Sequence, residues 1–145
     1  MKKIMSAATV AILMTTAALA EGVEHKVAIH VDENDPKVMN MALNNVQNVV
    51  KYYESQGDTV IVELVAYGPG LNMLVEGKSP VADRISAMSL ALEDNLTFAA
   101  CGNTHRSMSE KAGKEVPLLE EANIVPSGVV RLIELQENGF AYVRP

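Results

Sequence analysis

The run Thr59 to Ala66 reads Thr-Val-Ile-Val-Glu-Leu-Val-Ala, and it constrains the fold more than any other segment. A strand wet on one face alternates apolar and polar residues. One that is apolar at successive positions is covered on both faces, as the central strands of a parallel sheet are. Such a strand requires strands on either side and helices above and below.

The rest of the chain supplies them. Lys26 to Val31 reads as a first strand, Leu96 to Cys101 as a third, Ile124-Val125 as a short fourth and Phe140 to Val143 as the last. Asp35 is an N-cap residue and Pro36 suits a first helical position. The helix that follows aligns Met39, Ala42, Leu43, Val46, Val50 and Tyr53, and Gly57 stops it. Gly68-Pro69-Gly70 breaks the second strand, and a short helical piece follows from Leu71 to Val75. Ser79-Pro80 repeats the cap signal ahead of a helix aligning Val81, Ile85, Met88 and Leu92. A polar helix runs from about Asn103 to Ala112, then an acidic loop from Lys114 to Glu121 that contains Pro117. Ser127-Gly128 opens a last helix through Val129, Val130, Leu132, Ile133 and Leu135, ended by Gly139. Strands alternating with helices predict one three-layer α/β/α domain over 21–145 with a mostly parallel sheet. The last helix is apolar around most of its circumference, so it is predicted to be buried on more than one side. Either a subunit interface or deep burial within one chain would achieve that.

In an open α/β sheet the ligand site lies beyond the carboxyl ends of the strands. Those ends carry Asp32-Glu33-Asn34, Tyr67-Gly68-Pro69-Gly70, Cys101-Gly102-Asn103-Thr104 and Pro126-Ser127-Gly128. Cys101 is the one cysteine of the chain. It closes an apolar strand and precedes a polar turn into a helix, where free N–H groups and a positive helix end favour thiolate. With no partner in the chain it cannot form an internal disulfide. The candidate site is therefore Cys101 as nucleophile, with Gly102, Asn103, Thr104, His105, Tyr67, Gly68 and Asn34 around its reactant. His105 falls one helical turn on, and Arg106 adds positive potential. A buried, inert cysteine is the competing reading.

Other chemistries lack their residues. The acidic Asp32-Glu33-Asn34-Asp35 would repel a flavin phosphate, and the dinucleotide-binding glycine pattern is absent. A receiver domain would carry Asp where Cys101 stands. A phosphatase loop needs arginine six positions after the cysteine, where this chain has Ser107; the five-residue step from Cys101 to Arg106 matches a rhodanese loop. His25 and His30 have no companions at ligand spacing and read as surface or hydrogen-bonded strand residues, so neither metal nor organic cofactor is expected. The methionines fall on apolar helix faces and read as core.

The amino terminus reads as a secretory leader over 1–20. Lys2-Lys3 forms a basic start, Ile4 to Leu19 a short apolar stretch, and Ala18-Leu19-Ala20 a cleavage site before Glu21. The expected location is a periplasm or the extracellular space, with no membrane anchor. The formal net charge is −6, and loss of the two leader lysines deepens it. Such acidity argues against nucleic acid or an anionic membrane as partner.

Three segments together resemble a known family: Phe98-Ala99-Ala100-Cys101-Gly102-Asn103-Thr104, the turn Tyr67-Gly68-Pro69-Gly70-Leu71, and Gly128 to Gln136 followed by Gly139-Phe140-Ala141-Tyr142. The chain resembles the DsrE/DsrF-like sulfur-relay proteins from Lys26 to Pro145. The resemblance implies a flavodoxin-like fold with five parallel strands and packing as dimers, trimers or hexamers. It implies a carrier cysteine held as a persulfide, and Cys101 alone matches that functional position. Relay members of that family work in the cytoplasm, so an exported one implies other donors and acceptors: thiol proteins or small sulfur compounds.

Two functions follow. In one, the Cys101 thiolate takes a sulfane sulfur and yields it to an acceptor thiol, as a sulfurtransferase-like carrier. In the other, the chain is a non-enzymatic homo-oligomeric binding or assembly protein with a structural Cys101.

Overall fold

The computed structural model describes residues 22–145, so the leader reading over 1–20 lies outside the described residues. Five strands, β1 (Glu24–Val31), β2 (Thr59–Ala66), β3 (Leu96–Cys101), β4 (Ala122–Val125) and β5 (Ala141–Val143), form one sheet in the order β4-β3-β2-β1-β5. Every pairing is parallel. The strand inferred from the apolar run Thr59 to Ala66 is the middle one, as its composition requires. The chain is α/β with a flavodoxin-like, three-layer arrangement.

The helices α1 (Pro36–Ser55), α2 (Ala82–Leu92), α3 (Gly102–Ala112) and α4 (Gly128–Glu137) link consecutive strands. From β1 to β4 the chain steps across the sheet in one direction; to reach β5 it returns to the far edge. Crossovers of one hand then put three helices on one face and α4 alone on the other. The core divides accordingly. Val27, Ile29 and Val31 pack with Met39, Leu43 and Val46 of α1, with Ile85 and Met88 of α2, and with Met108 of α3. Ala28, Val65 and Ala99 on the opposite face pack with Leu132 and Leu135 of α4. The apolar run has one exception, Glu63, whose carboxylate is buried on the α4 face and held by Arg131 of α4 at 2.6 and 2.7 Å. This two-pronged pair ties the lone helix to the sheet.

Several boundaries differ from the sequence reading. Asp35 caps α1 through Lys37 N–H at 2.8 Å. Ser79 accepts from Val81 N–H at 3.3 Å, but that bond closes a turn, and α2 begins only at Ala82. The Gly-Pro-Gly segment does not simply break the chain. It is the first turn of a 3₁₀ helix, Gly68–Leu74, because Gly70 must pass where a Cβ would lie 2.3 Å from the Val31 carbonyl oxygen. The acidic loop is pinned by a short antiparallel bridge of Leu118 to Val75. Deep burial of α4 within one chain is not found: Leu132 and Leu135 are buried, while Val129, Val130 and Ile133 are about half exposed.

Candidate functional site

A crevice opens in such a sheet where neighbouring strands send their connections to opposite faces. Here that point lies between β3 and β4, because α3 and α4 leave toward different sides. Cys101 ends β3 beside Val125 of β4, so the cysteine stands at the switch point. Both helices begin within reach of it.

The sulfur is buried, with Cys101 5 % exposed. Burial pushes the thiol pKa up, yet the net direction is down, because the Thr104 hydroxyl and the backbone N–H groups of Gly128, Thr104 and Asn103 favour the charged form of the sulfur. The Thr104 hydroxyl oxygen accepts from Gly68 N–H at 2.9 Å, which leaves its own hydrogen to donate to sulfur. The turn after β2 thereby orients a group bound to the cysteine after β3. Three glycines permit the approach. A Cβ on Gly128 would lie 2.9 Å from Tyr67 Cβ and 3.1 Å from Cys101 Cβ, and one on Gly102 would lie 2.9 Å from the Val125 carbonyl oxygen. The third is Gly68 at φ +54, a backbone region in which side chains are strained. The arrangement favours the thiolate form of a sulfur that is almost wholly buried.

The candidates drawn from sequence divide into two groups. Cys101, Gly102, Asn103, Thr104, Tyr67 and Gly68 come together. His105 does not belong with them: its Nε2 turns away to the Val116 carbonyl oxygen at 2.7 Å, since i+4 on this helix faces the pinned loop. Arg106 is held by the Asn103 side-chain oxygen. Asn34 is exposed in the loop after β1, and β2 separates β1 from β3, so strand order keeps it away from the sulfur.

Sequence reasoning missed His30. It is 5 % exposed, its Nδ1 shares a 2.7 Å hydrogen bond with the Tyr142 hydroxyl, and its Nε2 has no hydrogen-bond partner. It is thus neither a surface residue nor a fully bonded one, whereas His25 is bonded, to Asp58 at 3.1 Å. Burial lowers the His30 pKa; Asp32 opposes that and Arg144 adds to it. Its ring lies 4.6 Å from that of Tyr67. Tyr67 in turn has its phenol pKa raised, by burial first and then by Asp32, Tyr142 and Cys101. Register explains the row: Val31 pairs with Ala66 and Ala66 with Ala100, which brings Asp32, Tyr67 and Cys101 level, with His30 behind Tyr67 on the α4 face. Counting back one residue from the end of the first strand would have flagged His30.

On the other side of Thr104 lies a cleft of about 480 Å³ between the 3₁₀ turn and α3. Among the described residues no three side chains gather as a metal-binding group, and no helix is long and apolar enough to cross a membrane.

No protein-family profile matches the chain, and no curated protein does. Solved structures match it, among them that of MTH1491 from Methanobacterium thermoautotrophicum, a protein of unknown function. The two chains are 31% identical over 83% of this chain and 99% of the other, with a TM-score of 0.70.

Proposed function

We propose that this chain, which belongs to the same family as MTH1491, is a sulfur carrier of the DsrE/DsrF-like type. The observation that carries the reading is the glycine-permitted approach of two helix starts to one buried sulfur at the switch point of the sheet, where donor groups hold its pKa down. The Cys101 thiolate attacks the outer sulfur of a persulfide or polysulfide donor, R–S–SH. The Sγ–S bond forms, the donor S–S bond breaks, and R–S⁻ leaves with the electron pair. Cys101 then holds the sulfane sulfur as Sγ–SH. An acceptor thiolate takes that outer sulfur in the reverse sense, and Cys101 departs as the thiolate that those donor groups stabilise. No external oxidant enters either step.

The working form in this reading is a homo-oligomer that buries the exposed apolar face of α4. It is exported, with the leader removed near Ala20; N-terminal sequencing of the extracytoplasmic protein checks that location. Incubation of the reduced protein with polysulfide adds sulfur to the intact mass, reversibly with dithiothreitol, and Cys101→Ser abolishes the gain. Low exposure of the sulfur favours the second reading, a binding or assembly protein with a structural cysteine. That reading takes over if the folded protein accepts no sulfur and resists iodoacetamide until it is unfolded.

A further inference from the structure

β5 is fastened to the sheet by few contacts. It lies at an edge and pairs with β1 alone, through Val27 with Ala141, Ala28 with Tyr142 and Ile29 with Val143. Ala141 and Tyr142 are exposed and Val143 is half-buried, so the strand buries little apolar surface. Two side chains hold it down. The Tyr142 hydroxyl shares the 2.7 Å hydrogen bond with His30 Nδ1. The Arg144 guanidinium donates to Asp32 at 2.9 and 3.2 Å and to Glu33 at 3.3 Å.

The docked strand leaves His30 no place for a second proton. An imidazolium carries N–H on both nitrogens and needs two acceptors. The Tyr142 oxygen can serve Nδ1, but Nε2 is sealed from solvent without a partner. Asp32 Oδ2 stands 3.9 Å from Nε2, beyond hydrogen-bond length. Asp32 is also engaged by Arg144, whose positive charge opposes another beside it. The remaining neighbours do not compensate. Tyr67 presents its ring, and α4 packs on this face through Leu132 and Leu135, its Arg131 being paired with Glu63 and Glu134. Lifting β5 withdraws Tyr142 and Arg144 together, admits water to the ring and frees Asp32 to balance its charge.

We infer that β5 is an acid-released latch: uptake of a proton by His30 undocks Ala141–Val143 from β1 while the other four strands stay paired. The sign follows from linkage. The undocked form binds a proton that the docked form refuses, so falling pH favours release. Release bares the backbone of β1 from Val27 to Ile29, an edge able to pair with another strand. The inference does not depend on the chemistry of Cys101.

Amide hydrogen exchange on the intact protein, corrected for the intrinsic effect of pH on exchange, is the test. The amides of β5 exchange through an opening that low urea does not accelerate, whereas those of β2 respond to urea as global unfolding does. From about pH 7.5 to about pH 5.5, both above the ordinary carboxylate range, protection of β5 falls by up to about tenfold. That is the limit set by one histidine of ordinary pKa about 6.5. In His30→Gln the fall disappears. In Arg144→Gln, a substitution at an exposed position, the freed Asp32 accepts from protonated His30 in the docked state, and the fall shrinks. If the amides of β5 respond to urea in step with those of β2, the strand leaves only with the whole domain and the latch is overturned. An acid response undiminished in either variant overturns it as well, because His30 is then not the group that takes the proton.

Discussion

Gly128, at the start of α4, packs against Cys101, at the end of β3, and its backbone N–H helps to hold the Cys101 thiol pKa down. These two residues lie on connections that leave the sheet toward opposite faces, and they meet only because position 128 has no Cβ. An alanine there would bring its methyl within 3.1 Å of Cys101 Cβ and 2.9 Å of Tyr67 Cβ. Gly128→Ala therefore pushes α4 or Tyr67 aside and withdraws the N–H. The Cys101 pKa rises, seen as a higher midpoint in the thiolate ultraviolet absorbance against pH. Overpacking of this kind costs about 1–3 kcal/mol of stability. An unchanged midpoint in the folded variant would remove Gly128 from the site.

Thr104 is the second lever. Its hydroxyl accepts from Gly68 N–H and donates to sulfur, so Thr104→Val strips one donor from the thiolate and one acceptor from the turn. In the native protein iodoacetamide labelling of the folded state persists below the range near pH ~8.5 where an ordinary thiol loses reactivity. In Thr104→Val the labelling curve moves to higher pH, because the lost donor favoured the charged form. Leaving Gly68 N–H without its acceptor costs about 1–3 kcal/mol. Thr104→Ser keeps the hydroxyl and returns both properties toward the native values; if it behaves like valine, the hydroxyl is not the active group.

His30 makes stability depend on pH. The charged and titratable groups facing it are Asp32, Arg144, Tyr142 and Tyr67, and burial dominates, holding its pKa below the ordinary value. As pH falls below about 6.5, His30 of the unfolded chain takes up a proton that the folded protein refuses until lower pH. The unfolded state then binds more protons, and stability drops as pH falls through that window. Urea midpoints for native protein and His30→Gln, measured at about pH 7.5 and about pH 5.5, read this directly. The native protein loses more between the two conditions than the variant does. Equal losses would show that His30 is not the titrating group.

The exposed face of α4 predicts assembly. Val129, Val130 and Ile133 sit on the outer side of the one helix that covers its half of the sheet, with Ile124 of β4 also exposed. Light scattering at micromolar concentration reports a homo-oligomer for the native chain, and Ile133→Lys shifts it toward monomer by placing a charge in the apolar contact. Sulfur uptake by the monomeric variant then tells whether the partner subunit completes the site. A native protein that is monomeric throughout ends the oligomer proposal.

The sheet was legible in the residues because its signals are local. The apolar run Thr59 to Ala66 requires a covered central strand, and the Asp35-Pro36 pair starts α1 where it stands. Cys101 at the boundary between an apolar strand and a polar helix marks the carboxyl edge. Each of these depends on neighbours within a few positions along the chain. Tertiary structure decided what the cysteine meets there. The Gly128 N–H arrives from 27 positions away because β4 pairs with β3 and α4 leaves on the opposite face, which no local pattern specifies. A longer separation, 112 positions, hid His30, whose partner Tyr142 comes from the strand added to the far edge of the sheet. His105 was misread for another reason: it shares a helix with the site but faces Val116. Periodicity tells which residues share a face of one element; only the order of the strands and the hand of the crossovers tell which faces close on one another.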